Sequence, residues 1–156
     1  MFRKILIVCV GNICRSPMGE AIFANRLSKI APDVSVSSAG ISAVVASPPD
    51  LMAQNLMQEK GLDISKHSAR QITPKILFEA DLILTMETRL QQQIEIMLPS
   101  ICGRVHRLGK WGGFDIADPY QRPRSAFEQA LAMIEHGIDD WIKKLWNYND
   151  YDKKVK

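Results

Sequence analysis

An apolar run, Ile5-Leu6-Ile7-Val8, stops at Cys9, and Val10-Gly11-Asn12-Ile13-Cys14-Arg15-Ser16-Pro17 follows without a gap. That order dictates a buried strand over 2–10, a short tight loop and a helix. Ser16 is placed to cap the helix, and Pro17 fits its first position. Glu20 falls in the first turn, and Ala21, Ile22, Leu27 and Ile30 supply an apolar helical face before Pro32. Gly11 and Asn12 suit backbone angles that other residues avoid. Loop amides and a helix N-terminus together converge on an anion, and their field favours a thiolate over a thiol. Arg15 stands six residues after Cys9 and can hold two oxygens of the same anion through its planar fork. A nucleophilic sulfur is thus set into an anion cradle.

Beyond this unit, apolar runs alternate with amphipathic ones. Val34–Ser38 reads as a strand, 39–49 as a loop, and Asp50–Lys60 as a helix stopped by Gly61. Asp81–Met86 is a clear strand, Glu87–Leu98 a helix closed by Pro99, and Val105–Leu108 a short strand. Residues 109–124, with two adjacent glycines and two prolines, form a long loop. Ser125–Trp146 is a long helix with Phe127, Leu131, Ile134, Ile138, Trp141 and Leu145 on one face. Strands alternating with helices imply a single-domain, doubly wound α/β fold: a mainly parallel sheet in three layers, with helices on both faces. The domain is expected over 1–147, with 148–156 a polar tail that frays. Ligands of such sheets sit beyond the carboxyl ends of the strands, where Cys9 falls.

Composition excludes several classes. The 156 residues suit one domain, and 46% hydrophobic with 24% charged residues is ordinary for a soluble globular protein. A net charge of +3 with scattered basic residues gives no nucleic-acid footprint, and Lys153-Lys154-Val155-Lys156 reads as a solvated tail. No run approaches the ~18 apolar residues of a membrane span. Arg3-Lys4 ahead of a short apolar stretch is a core strand rather than a signal peptide, so a cytoplasmic location is expected. Three cysteines (Cys9, Cys14, Cys102) make an odd count, against a disulfide framework. Without a Cys-x-x-Cys pair, and with His67, His106 and His136 at no ligand spacing, neither a metal nor another cofactor is expected.

The stretch Val8–Pro17 resembles the signature of the low-molecular-weight protein tyrosine phosphatase family, and Asp118-Pro119-Tyr120 resembles its acid loop. Ser37-Ser38-Ala39-Gly40 and Asp81-Leu82-Ile83-Leu84-Thr85-Met86 also fit, so the resemblance runs from about residue 3 to 145. It is closest to the Gram-negative branch that accompanies tyrosine autokinases in capsule and exopolysaccharide production. The resemblance implies a protein-tyrosine-phosphatase acting on a phosphotyrosine protein, with such an autokinase as partner. It makes Cys9 the nucleophile, Arg15 the clamp on the phosphoryl oxygens and Asp118 the general acid. The loop residues Val10, Gly11, Asn12, Ile13, Cys14 and Ser16 would bind the phosphate, and Tyr120 would wall the substrate slot. Ser38 and His67 would brace the loop, and Cys14 would pair with Cys9 under oxidation. Two departures stand out: Gln121 where the family often has a second tyrosine, and Ile41, Val44 and Val45 where eukaryotic forms carry an aromatic residue.

Three other readings fail on particular residues. An arsenate reductase on this scaffold needs a relay of cysteines, and Cys102 is the only one beyond the loop. A non-catalytic phosphotyrosine-binding module would have lost Cys9, Arg15 or Asp118. A nucleotide-binding domain would carry a glycine-rich fingerprint, and the loop has a single glycine with no Gly-Lys-Ser/Thr.

Overall fold

Alternation along the first strand, β1 (Lys4–Cys9), sends Ile5 and Ile7 to one side of the sheet and Leu6 and Val8 to the other. All four are at most 1% exposed, and each contributes roughly 2 kcal/mol by leaving water. A strand covered on both faces reads as an unbroken apolar run, which is why this one does. The computed structural model describes residues 2–146; the expected polar tail over 148–156 lies outside them.

Among the described residues the sheet has four strands, all parallel, in the order β2–β1–β3–β4, with β2 at Ser35–Gly40, β3 at Leu82–Thr85 and β4 at Val105–Arg107. On the Ile5/Ile7 face pack α1 (Arg15–Leu27), α2 (Leu51–Glu59) and α5 (Arg124–Trp146). On the other face Leu77 of α3 (Pro74–Glu79) and Ile94 of α4 (Thr88–Met97) close over Leu6, Val8 and Ile83. The chain is therefore one α/β domain in three layers. From β1 the sheet grows outward in both directions, so a crevice opens at its carboxyl end, and the loop after Cys9 occupies it.

Two local features differ from the sequence reading. The first helix starts at Arg15, and its N-cap is Cys14 with no side-chain capping bond. Ser16 does not cap, because its hydroxyl is taken by Cys9 and Asn12. A further helix, α3, lies in 62–80, where the sequence reading placed no element. Its signal is the pair Thr73-Pro74: Thr73 accepts from the Ile76 amide at 3.2 Å, and Pro74 takes the first position.

The loop after β4 is pinned to α5. Trp141 Nε1 donates to the Leu108 carbonyl at 3.0 Å. That carbonyl fits because residue 137 is glycine; a Cβ there would lie 2.8 Å from it. Arg26 of α1 pairs with Glu135 and Asp139 of α5, and Lys60 after α2 pairs with Glu135, tying the three helices of this face.

Candidate active site

The loop between β1 and α1 is folded by its own polar side chains. Asn12 takes a left-handed conformation (φ 58°) and is fully buried. That conformation costs a non-glycine residue about 1 kcal/mol, and Asn tolerates it best. Its side chain is fully used: Nδ2 donates to Ser16 Oγ at 2.7 Å and Ser38 Oγ at 3.0 Å, while Oδ1 accepts from the Arg70 amide at 2.9 Å. The Asn12 carbonyl lies 3.0 Å from His67 Nε2. Ser38, near the end of β2, donates its hydroxyl hydrogen bond to Glu20 of α1, whose carboxylate also lies 3.6 Å from His67 Nδ1. Glu20 is thus part of the brace, a role its place in the first turn of a helix did not reveal.

Cys9 Sγ sits at the floor of this loop. It is 2.9 Å from Ser16 Oγ and accepts the Asn12 amide at 3.3 Å. A hydroxyl and an amide thus converge on this sulfur. Among the described residues no protein acceptor meets the amides of Gly11, Ile13 or Cys14. Donors of this kind, at the start of a helix, are a ready site for an anion. Cys14 is buried and its thiol is pushed well above the ordinary range, first by burial and then by the charges of Asp50, Asp118 and Cys9, against the opposing effect of Arg15. It stays protonated at neutral pH.

Arg15 is 1% exposed, the largest fully buried side chain among the described residues. Its Nη1 donates to Glu87 Oε1 and to the Ile116 carbonyl, both at 2.6 Å. Its Nη2 lies 3.5 Å from Asp118 Oδ2. Burial pushes the Glu87 carboxyl up, but hydrogen bonds from Arg15 and Arg89 outweigh it and hold it below the usual carboxylate range. Glu87 stands just before α4 and was read in the sequence only as a helix residue. No local signal marks it, since its partner is distant in the chain.

Asp118 is 42% exposed, with Oδ1 accepting the Tyr120 amide at 3.2 Å. Its place follows from the loop before it: the Ile116 amide donates to the Met86 carbonyl at 2.9 Å, anchoring 115–118 beside β3. Tyr120 is 48% exposed, as are Val44 (48%) and Val45 (64%), and the amides of Ile41, Ser42 and Val44 tie their loop to the carbonyls of Cys9, Val10 and Gly11. One network therefore joins Cys9, Asn12, Ser16, Ser38 and His67, with Arg15 and Asp118 meeting at its rim. Val10, Gly11, Ile13 and Cys14 fill the loop between them. Among the described residues no group of three His, Cys, Asp or Glu side chains is arranged to hold a metal ion. No helix there is long and apolar enough to cross a membrane.

Comparison with known proteins places the chain among low molecular weight phosphatases, and one of the similar solved structures is the YwlE arginine phosphatase from Geobacillus stearothermophilus, with a TM-score of 0.84 at 31% identity, covering 92% of each chain. Residues 4–150 match the family described as low molecular weight phosphotyrosine protein phosphatase. The chain is 46% identical over 145 residues to the probable low molecular weight protein-tyrosine-phosphatase EpsP of Ralstonia nicotianae, covering 93% of this chain and 97% of that one. It is 37% identical to Etp of Escherichia coli, a low molecular weight protein-tyrosine-phosphatase, covering 92% and 95%. Among solved structures, Vibrio vulnificus Wzb in complex with benzylphosphonate superposes with a TM-score of 0.87 at 37% identity, covering 93% of this chain and all of that one.

Proposed function

The chain belongs to the low molecular weight phosphotyrosine protein phosphatase family and is a protein-tyrosine-phosphatase, and on that premise we propose that it works through a phosphocysteine formed on Cys9. The Cys9 thiolate attacks phosphorus, and the bond from phosphorus to the phenolic oxygen breaks. Asp118 gives its proton to the departing phenolate. Water then attacks phosphorus of the phosphocysteine, Asp118 takes a proton from it, and the sulfur–phosphorus bond breaks with its electron pair going to the Cys9 thiolate. Arg15 and the amides of the 10–15 loop hold the equatorial oxygens, where charge gathers in the transition state. Ser16 and Asn12 stabilise the thiolate as attacking and leaving group. Ser38 and His67 keep Asn12 in its strained conformation.

The observation that carries this reading is the convergence on one sulfur of a hydroxyl at 2.9 Å and an amide at 3.3 Å, below a rim where Arg15 meets Asp118 at 3.5 Å. Tyr120, with Val44 and Val45, walls a slot that an aryl phosphate spans and a shorter phosphoserine does not. The substrate is a phosphotyrosine protein, and the resemblance to the Gram-negative exopolysaccharide branch makes a tyrosine autokinase of polysaccharide production, acting in the cytoplasm, our proposed partner.

The test is chemical trapping. Acid quench during turnover of p-nitrophenyl phosphate, followed by peptide mass spectrometry, should find phosphate on Cys9. Cys9→Ser should lose turnover and still bind vanadate. Asp118→Asn should slow alkyl-substituted phenyl phosphates, with their basic leaving groups, far more than p-nitrophenyl phosphate. Equal losses across that series, or turnover by Cys9→Ser, would defeat the assignment. Mild peroxide should link Cys9 to Cys14, the first sulfur being oxidised to a sulfenic acid and the Cys14 thiol displacing water from it.

A further inference from the structure

The loop 109–115 lies along one flank of α5, and the surface the two make is unlike the rest of the molecule. Gly112, Phe114, Gln129, Ala132, Met133 and His136 line a groove of about 510 Å³. The Phe114 ring sets its wall, packed edge-on against His136 at 5.6 Å and close over residues 109 and 112, where any Cβ would strike it. Further along the same flank stands Trp111, 42% exposed. Lys110 Nζ lies 4.7 Å and Lys144 Nζ 4.8 Å from the centre of its ring. Among the described residues neither ammonium meets a carboxylate; Asp115 pairs with Arg107 at 3.1 Å, and Asp140 Oδ2 lies 3.3 Å from His136 Nε2. His106 Nδ1, 3.4 Å from Lys110 Nζ, is held below the usual histidine range by burial and by that lysine, so the ring is a neutral neighbour that adds no charge of its own.

The flank is also linked to the site through the chain. Gln129, Met133, His136 and Lys144 recur on one face of α5, and Gln129 to Lys144 spans about 22 Å at 1.5 Å per residue. Its near end is Phe114, two residues before Ile116, whose carbonyl receives Arg15 at 2.6 Å. An apolar groove walled by Phe114, followed by two ammonium groups that meet no carboxylate among the described residues and sit on an exposed indole, matches an extended segment that is apolar first and acidic beyond. About seven residues of extended chain cover that length.

We infer that the flank formed by Phe114, Met133, Trp111, Lys110 and Lys144 docks the polypeptide next to the phosphotyrosine of a protein substrate, taking an apolar side chain in the groove and acidic or phosphorylated side chains on the two lysines. This rests on the phosphatase reading and adds a second contact that distinguishes a protein from a small aryl phosphate. The lysines act at the rim of the contact, so their effect is on encounter and KM rather than on kcat.

The probes are two phosphotyrosine peptides and p-nitrophenyl phosphate. One peptide carries leucines and then glutamates four to eight residues from the phosphotyrosine on both sides; the other has serine in those places. The native enzyme should show a KM about fivefold or more lower for the first, and 0.5 M salt should shrink the difference. Lys110→Glu with Lys144→Glu should erase it, leaving p-nitrophenyl phosphate kinetics unchanged. Ala132→Glu, an exposed helix position, should do the same through the groove. Equal KM values for both peptides in the native enzyme would overturn the docking surface and leave the phosphatase standing. Failure to hydrolyse either peptide would overturn both. A native dimer that Ala132→Glu dissociates would assign the flank to a second copy of the chain and overturn the proposal.

Discussion

Arg15 Nη1 meets Glu87 Oε1 at 2.6 Å, across 72 positions of the chain. The same nitrogen donates to the Ile116 carbonyl at 2.6 Å, so two acceptors fix one edge of the guanidinium. Only the rest of the fork is left to face an anion. Glu87 thus determines which way the guanidinium points, and it stands two residues past β3, the strand beside β1. Glu87→Gln keeps the shape and one acceptor but removes the charge. We expect kcat/KM on p-nitrophenyl phosphate to fall about tenfold, with the folded state retained. Glu87→Ala leaves a buried arginine with less compensation, and a loss of about 3 kcal/mol in urea unfolding is expected. A kcat/KM within twofold of the native value in both variants would mean that the Ile116 carbonyl alone positions Arg15.

The same pair dictates a dependence on acid. Glu87 is held below its ordinary range in the folded protein, so the unfolded state binds its proton first. Stability from this group is complete above the unfolded value of about 4.3 and is lost as pH falls through the lower folded value. Urea unfolding at pH 6, 5, 4 and 3 should show native stability declining below about pH 4.5, in the range of that unfolded value. Glu87→Gln should be weaker at pH 6 and decline less steeply. Parallel curves for the two proteins would assign the acid sensitivity to other carboxylates, of which Asp81 and Asp115 are also held low.

The parts of the site that lie close together in the chain were legible in the sequence. Cys9, Asn12, Arg15 and Ser16 fall within eight residues, and strand, loop and helix follow from their neighbours. The sheet was legible because buried parallel strands are runs of aliphatic residues. Glu20 and Glu87 were not, since their partners Ser38 and Arg15 come from distant strands and helices, and a glutamate on a helix reads as solvated. Helix α3 was missed because its six residues are too few to establish a period. Ser16 was read as a cap from its place before Pro17; the demand of the sulfur and of Asn12 on its hydroxyl was stronger than that of the helix end.

Asn12 concentrates more of the loop than any other residue. Its side chain makes three hydrogen bonds, each worth roughly 1 kcal/mol, and alanine would also bear the left-handed backbone without local help. Asn12→Ala should cost about 3 kcal/mol in urea unfolding. It should also reduce kcat, because Ser16 loses the donor that orients its hydroxyl toward Cys9. Asn12→Gly relieves the backbone and removes the same bonds. It should recover about 1 kcal/mol of stability and little of the kcat. Full recovery of kcat by the glycine would reduce the role of Asn12 to its backbone.

Gly40 joins the sheet to the wall of the slot. It pairs with Cys9 across the sheet, its amide donates to the Arg70 carbonyl, and its carbonyl accepts the Ile72 amide. A Cβ there would lie 2.4 Å from the Val10 carbonyl and 3.1 Å from Ala43, both on backbone that cannot swing aside. Gly40→Ala must therefore push the 41–46 loop off the cradle, straining the bonds from Ser42 to Val10 and from Val44 to Gly11. Overpacking of this kind costs about 1–3 kcal/mol. The kinetic effect separates a structural role from a functional one. If Val44 and Val45 wall the slot as proposed, displacing them opens it, so KM for aryl phosphates should rise about fivefold, and phosphoserine, which the proposed depth excludes, should gain relative to phosphotyrosine. A variant that loses stability with both ratios unchanged would show that the loop supports the sheet edge and does not set the depth of the slot.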